Sequence, residues 1–444
     1  MMVRKEVLGL AQCIHGGRVP EVMEQSGKMI DFSTNTNPIG PPDIRETLLG
    51  ACENIDRYPD DRYVRFREAA ASFVGVHSEN IVPGNGSVEI IRLFAEVIVE
   101  HGDKVIIPYP TFCEYEFQCR LFGAKPLFVE YSAINDQISD EMLEESKILF
   151  ICNPNNPTGD LLPRSRLEEL AARCIQNETS LFVDETFIEL SDPKQSVGNI
   201  AAKEDFVFVL RSLTKCFAIP GIRIGYGVGS AQLIELLNKS RLSWNLSCFA
   251  EAVGIYLFQK SDYLETSREL IKSERKWLIN QLSEINGVHP LRSDANFILL
   301  DINGTGLSSS ELTERMLYHG FLIRNCSSFR SLGEDYVRVA VRTRKENEGL
   351  VAALKRVIDP NARESCEHYP CHFRGQDCTF CFCPFYPCKD ERLGKYVETS
   401  SGDVAWSCID CEIIHQADVA QEILDSILAG DELSKVWKII ERRL

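Results

Sequence analysis

The sequence is short of positive charge: 48 lysines and arginines stand against 65 aspartates and glutamates, a formal net charge of −17. Phosphate backbones need a basic face, so no nucleic-acid partner is expected. No apolar run approaches the ~20 residues of a membrane span, and residues 1–9 hold too short an apolar stretch for a signal peptide, so a cytoplasmic chain with no membrane partner is expected. No Gly-x4-Gly-Lys-Ser/Thr phosphate loop occurs anywhere in the chain. Cysteine is thin up to Cys326, with nine scattered singly, as suits small apolar groups in the cores of a protein kept reduced.

What is present fills 444 residues, room for two or three domains with real cores. Residues 1–40 read as an irregular arm, with His15-Gly-Gly and Asp31-Phe-Ser-Thr-Asn-Thr-Asn-Pro38 marking turns and close backbone approach. Over 41–275, apolar runs at Val105–Ile107, Leu127–Val129, Ile148–Cys152, Leu181–Val183, Val207–Leu210 and Ile222–Val228 alternate with helical stretches. That pattern predicts an α/β domain whose mostly parallel sheet is covered on both faces. Residues 230–275 read as long helices broken near Gln259–Asp262. A smaller α/β unit is expected over 276–360, with strands near Phe297–Asp301 and Tyr336–Val341, and a cysteine-rich domain over 361–444.

The stretch Leu210–Tyr226 organises the rest. A β-type run ends in a polar turn carrying Ser212, Thr214 and Lys215, and Arg223 follows eight residues after the lysine. Open α/β sheets bind ligands at the carboxyl ends of their strands. A lysine desolvated there has an amine free to attack a carbonyl. Ser212 and the forked donor Arg223 suit a phosphate. Together they read as a pyridoxal phosphate (PLP) site. Gly84-Asn-Gly-Ser87 opens a helical run and offers backbone N–H groups to an anion. Asn153-Pro-Asn-Asn-Pro-Thr-Gly159 holds an amide in a rigid turn, able to donate to a phenolate oxygen. Asp184 ends its strand at the same sheet edge, where a buried carboxylate needs a cation such as a protonated pyridine nitrogen.

In this order the motifs resemble the fold-type I PLP-dependent aminotransferase superfamily, class I/II, over roughly residues 18–355: a large mixed-parallel-sheet domain plus a smaller α/β domain. The resemblance implies Lys215 as the Schiff-base lysine, Asp184 at the pyridine nitrogen, Asn156 at the 3′ oxygen and Phe112 stacked on the ring. Gly86, Ser87, Ser212 and Arg223 would hold the cofactor phosphate. Tyr58 would reach the phosphate of a partner subunit, implying a homodimer, and Arg338 would pair with the substrate carboxylate. Finer phrases resemble the threonine-phosphate decarboxylases of the aminopropanol arm of cobalamin synthesis. These are His15-Gly-Gly, Asp31 to Pro42, Asp184-Glu-Thr-Phe-Ile188, Thr214-Lys-Cys-Phe-Ala-Ile-Pro-Gly221 and Ile323-Arg-Asn-Cys-Ser-Ser-Phe329. The related histidinol-phosphate aminotransferases usually carry tyrosine three residues after the pyridine aspartate; here that residue is Phe187. The implied substrate is a small anionic amino-acid phosphate, L-threonine O-3-phosphate, clamped by His15, Gly16, Gly17, Asn35, Asn156, Arg324 and Arg338. A histidinol-phosphate-type aminotransferase and a non-catalytic PLP-fold regulator are the alternatives.

Eight further cysteines crowd the tail: Cys366, Cys371, Cys378, Cys381, Cys383, Cys388, Cys408 and Cys411, with His368, His372 and His415 nearby. Two Cys-x-x-Cys pairs at such density in a cytoplasmic chain point to metal ahead of disulfide. Two zinc sites or an iron–sulfur cluster both fit, and the spacing does not choose. The tail resembles a small cysteine-rich domain found beside cobalamin-pathway enzymes. A structural or regulatory metal module binding a pathway partner is one expectation. A threonine kinase activity is the other, set against the missing phosphate loop.

Overall fold

The computed structural model describes residues 3–17, 29–358, 371–373, 376–398 and 403–444. It divides into two compact units, Met1–Val351 and Ala352–Leu444. Among the described residues no helix is long and apolar enough to cross a membrane.

In the first unit, the arm holds a short helix, Lys5–Leu8, and a strand, β1 (Ile30–Asp31). The main sheet then takes β2 (Ile81–Gly84), β3 (Lys104–Tyr109), β4 (Lys125–Glu130), β5 (Ser146–Cys152), β6 (Ser180–Asp184), β7 (Val207–Ser212) and β8 (Gly225–Val228), in the order β2-β8-β7-β6-β5-β3-β4. β3 to β7 run parallel, and β8 is antiparallel to both its neighbours. The continuous apolar runs bury both faces, and the two-residue period sorts them. Leu149, Ile151, Leu181, Val183, Val207 and Val209 pack on one side with Phe66 and Leu257. Ile148, Phe150, Phe182, Phe208 and Leu210 pack on the other with Ile90 and Phe94. The parallel strands therefore all deliver their last residues, Tyr109, Cys152, Asp184 and Ser212, to one edge.

The run expected as a strand from Ile222 begins only at Gly225. Ile222 closes a turn on the Ile219 carbonyl and Arg223 sits at φ 58, in the left-handed region that extended backbone cannot contain. Helices Ala231–Ser240, Cys248–Leu257 and Ser261–Ser283 follow, the last running past 275 because Leu264, Ile271, Leu278 and Leu282 keep one face buried. A second sheet takes β9 (His289–Pro290), β10 (Phe297–Asp301), β12 (Arg324–Asn325) and β13 (Tyr336–Ala340), all pairs antiparallel, while β11 (Phe321–Leu322) pairs with β1 in parallel.

In the second unit, a hairpin joins β14 (Lys395–Glu398) to β15 (Val404–Ser407). Helices Ala417–Leu428 and Leu433–Glu441 close a small core of Ile413, Ile414, Val419, Ile423, Val436 and Ile440.

Candidate functional site

The carboxyl edge of the main sheet opens on a cavity of about 490 Å³. Asp184, at the end of β6, and Lys215, on the turn after β7, both face it, as do Ser87, Phe112 and Asn156. Arg324 and Arg338 from the second sheet, with His15, Gly16 and Asn35 from the arm, complete the wall.

Burial raises the Asp184 carboxyl above the usual range; its described partners are the Tyr115 hydroxyl, donating to Oδ2 at 2.7 Å, and the Thr186 N–H, donating to Oδ1 at 2.9 Å. Neither carries positive charge. Lys215 is pushed down to about 8, first by burial and then by the Arg338 and Arg223 charges, with Asp31 opposing. Such a lysine is still mostly the ammonium at pH 7, but it holds a far larger share of free amine there than an ordinary lysine does.

Gly86 has φ 82 and starts the helix Ser87–Ile98; a Cβ there would stand 2.5 Å from Arg223 Nη2. Only glycine both takes that backbone angle and lets the guanidinium approach the helix start. The resulting seat joins the positive end of a helix to a forked cation, and Ser87 and Arg223 both open onto the cavity.

Arg324 and Arg338 are cross-strand partners in the β12–β13 ladder and are 7% and 5% exposed. Burial pushes Arg338 down to about 10, Arg324 adding to the fall while Cys326 and Asp31 oppose it; burial also lowers Arg324. Arg338 donates to Asn156 Oδ1 and, at 2.9 Å, to the Ser33 carbonyl; Arg324 donates to the Ile14 carbonyl at 2.7 Å and Ser328 Oγ at 2.9 Å. Neither forms an ion pair with a carboxylate among the described residues. His15 Nε2 lies 3.0 Å from Glu114 Oε1. Burial raises the Glu114 carboxyl, but the His15 and Gln118 hydrogen bonds outweigh it and the net shift is downward.

Four expected residues stand apart from the wall, one of them Gly86, which sits behind Ser87 at the helix start. Ser212 is buried behind it, 2.8 Å from Thr214 Oγ1, and Thr214 is the hydroxyl that faces the cavity. Gly17 donates its N–H to Ser33 Oγ at 2.8 Å rather than lining the space. Tyr58 is 79% exposed, its ring 4.5 Å from that of Trp244, on a separate hollow of about 520 Å³. Thr214 was legible in principle, since it shares the Ser212–Lys215 turn. Tyr115 was not marked by any motif, although it follows Phe112 by three residues at the start of the helix Glu114–Leu121.

In the second unit, Cys371, Cys381, Cys383, Cys388, Cys408 and Cys411 line a cavity of about 370 Å³ with His372 and His415. Turns present several of them: the Cys411 N–H donates to the Cys408 carbonyl at 3.0 Å, and the Tyr386 N–H to the Cys383 carbonyl at 3.1 Å. Gln376 Nε2 donates to Cys371 Sγ at 3.0 Å and to buried Cys378 Sγ at 3.3 Å. His415 Nδ1 lies 2.8 Å from the Asp377 carbonyl. Burial, with a smaller push from Cys408, Cys411 and Cys388, raises the Cys383 thiol to about 11, a backbone hydrogen bond at Phe385 opposing. Cys366 and His368 lie outside the described residues. Among the described ones, no three of these donors are arranged to hold a metal ion.

Two family descriptions match the chain: "Aminotransferase class I and II" over residues 27–354 and "Cysteine-rich small domain" over 358–437. A protein of Caldanaerobacter subterraneus subsp. tengcongensis, provisionally named a threonine-phosphate decarboxylase, is 37% identical over 75% of this chain and 93% of its own length. Histidinol-phosphate aminotransferase 2 of Archaeoglobus fulgidus is 34% identical over 74% of this chain and 93% of its own. Among solved structures, the histidinol-phosphate aminotransferase of Clostridium acetobutylicum is 30% identical and superposes with a TM-score of 0.68, covering 74% of this chain and 99% of that one.

Proposed function

The chain belongs to the class I and II aminotransferase family, whose expected cofactor is PLP, and within it we propose a decarboxylase that converts L-threonine O-3-phosphate to (R)-1-aminopropan-2-yl phosphate and CO2, the reaction of the aminopropanol arm of cobalamin synthesis. The residues fit that cofactor. Asp184 is a buried carboxylate lacking a cationic partner among its described contacts, the match for a protonated ring nitrogen. Gly86, Ser87 and Arg223 form a seat for the cofactor phosphate, Phe112 offers a ring to rest on, and Asn156 offers an amide for the 3′ oxygen. Bound there, PLP supplies an electron sink for a carbanion at the substrate Cα.

One observation carries the choice of substrate: two buried arginines, adjacent across a ladder, face the cavity, and among the described residues neither forms an ion pair with a carboxylate. Like charges opposite one another destabilise a sheet unless a ligand offsets them. A substrate bearing both a carboxylate and a phosphate supplies that negative charge. Histidinol phosphate itself carries the phosphate and no carboxylate, while the 2-oxoglutarate of the aminotransferase reaction carries two, so the pair calls for a dianionic ligand in either reaction. Phe187, on the cavity wall three residues after Asp184, offers no hydroxyl to the 3′ oxygen, which supports the decarboxylase reading. Arg338 would hold the carboxylate and Arg324, His15 and Asn35 the phosphate, so that the carboxylate could leave as CO2 while bound PLP took up the electron pair left at Cα. Lys215 as its ammonium then returns a proton to Cα.

The test uses the purified protein with L-threonine O-3-phosphate and no keto acid. Release of CO2 and aminopropanol phosphate that is lost in Lys215→Ala supports the decarboxylase. Amino transfer from histidinol phosphate to 2-oxoglutarate, with no CO2, replaces it with the aminotransferase, a reading that the 34% and 30% identities to such enzymes keep in play.

We propose further that the protein acts as a cytoplasmic homodimer in which Tyr58 reaches the partner subunit's cofactor; its exposure away from this chain's own cavity supports that role. For the second unit we propose metal binding by its thiols, as zinc or as iron, alone or in an iron–sulfur cluster, in a structural or regulatory module that docks a pathway partner. The donor-rich cavity supports it. Metal analysis of the purified protein tests the binding. Comparing the whole chain with one ending at Asp359, on unphosphorylated threonine with ATP, tests the kinase alternative.

A further inference from the structure

We propose that Tyr115 is a positioning residue, orienting the Asp184 carboxylate toward the cofactor's ring nitrogen and tying that acid to the aromatic wall beside the ring. The inference rests on the cofactor reading above and is independent of which substrate is used.

The phenol donates to Asp184 Oδ2 at 2.7 Å while the Thr186 N–H takes Oδ1 at 2.9 Å. A carboxylate has about four lone-pair positions, so these two donors leave room for a third N–H, from a protonated ring nitrogen. Tyr115 and Asp184 are 1% and 3% exposed. At that depth a carboxylate without donors reverts to its neutral acid, which cannot pair with a pyridinium; charge-assisted hydrogen bonds oppose this. Burial, and next the charge on Asp184, lift the Tyr115 hydroxyl well above its ordinary range, so it keeps its proton and donates it to the carboxylate. The ring is also fixed. It stacks on Phe150 at 5.1 Å with planes 16° apart and meets Phe112 edge-on at 5.8 Å and 82°. One side chain thus touches both the acid for the ring nitrogen and the aromatic expected against the ring face.

The experiment titrates apoprotein with PLP and follows its visible absorbance, for wild type, Tyr115→Phe, Asp184→Asn and the double variant. Phenylalanine keeps the ring and its packing and removes only the hydroxyl. Tyr115→Phe is expected to weaken PLP binding by about ten- to a hundredfold, as for loss of one hydrogen bond to a charged group, and to shift the absorbance band. In the Asp184→Asn background the same change is expected to alter affinity by no more than about threefold, because the charge it acts through is gone. An affinity in Tyr115→Phe equal to wild type, or an equal loss in both backgrounds, overturns the proposal. A PLP analogue with carbon in place of the ring nitrogen separates this from a folding defect: a defect weakens both compounds alike, and that result also overturns it. If wild-type apoprotein takes up no PLP, the cofactor reading falls and this inference with it. If it does and Tyr115→Phe matches it, only the positioning role falls.

Discussion

In the first unit the reactive groups stand on strand ends or on turns locked to them: Asp184 ends β6, Lys215 follows β7, and Arg324 faces Arg338 across a ladder. In the second unit the thiols line a cavity near a two-stranded antiparallel pair and, among the described residues, are rich in number but not converged on a point. A sheet places side chains by its own hydrogen-bond register, before any ligand arrives. Turn-borne thiols lack that frame, and in small cysteine-rich domains the ligand itself commonly supplies the missing order. The contrast teaches that donor count and site geometry are separate properties, and that the two units should respond differently to losing what they bind.

The sharpest way to break the comparison is at Lys215. Lys215→Ala is expected to cut turnover by at least ~10³-fold and to abolish the visible band of bound PLP while the fold persists, read by absorbance and circular dichroism. Arg338→Met comes next. It should lower kcat/KM for the amino-acid phosphate by about 10²- to 10³-fold, since a buried charged contact is lost, and lower PLP affinity far less. In the second unit, Cys408→Ser with Cys411→Ser is expected to lower bound metal, seen by elemental analysis, and to bring forward a low-temperature melting transition. PLP uptake should stay unchanged. A chelator should do the same to the wild type. The smallest effect concerns pH. Because Lys215 sits near 8, capture of PLP by the apoprotein should quicken as pH rises through that value and the ammonium becomes an amine. Removing the Arg338 charge favours the ammonium, so in Arg338→Met the midpoint should move to higher pH, measurable by stopped-flow absorbance.

The sheet was legible because its strands are continuous apolar runs bounded by polar turns, a signal that needs no tertiary knowledge. The polar residues at their ends were legible for the same reason: Asp184 and the Ser212–Lys215 turn each follow such a run directly. What stayed hidden depends on contacts between distant segments. Tyr115 matters through Asp184, 69 residues away, and through Phe150 on β5. That Arg324 and Arg338 stand opposite one another follows from a two-residue strand, too short to leave a pattern. Ser212 was read as a phosphate ligand from its hydroxyl and from the family resemblance; Thr214, 2.8 Å from it, is the hydroxyl that lines the cavity. In the tail, spacing conveyed the density of donors and nothing of their arrangement.

The facing arginines have a consequence for the enzyme at rest. Two buried cations lining one hollow attract small anions in general, so inorganic phosphate or sulfate is expected to compete with substrate for them. The apparent KM for substrate should then rise linearly with the concentration of those ions, from its value in their absence. The choice of assay buffer would change the measured constant, and in a cell the free phosphate pool would set how much substrate is needed before the reaction runs.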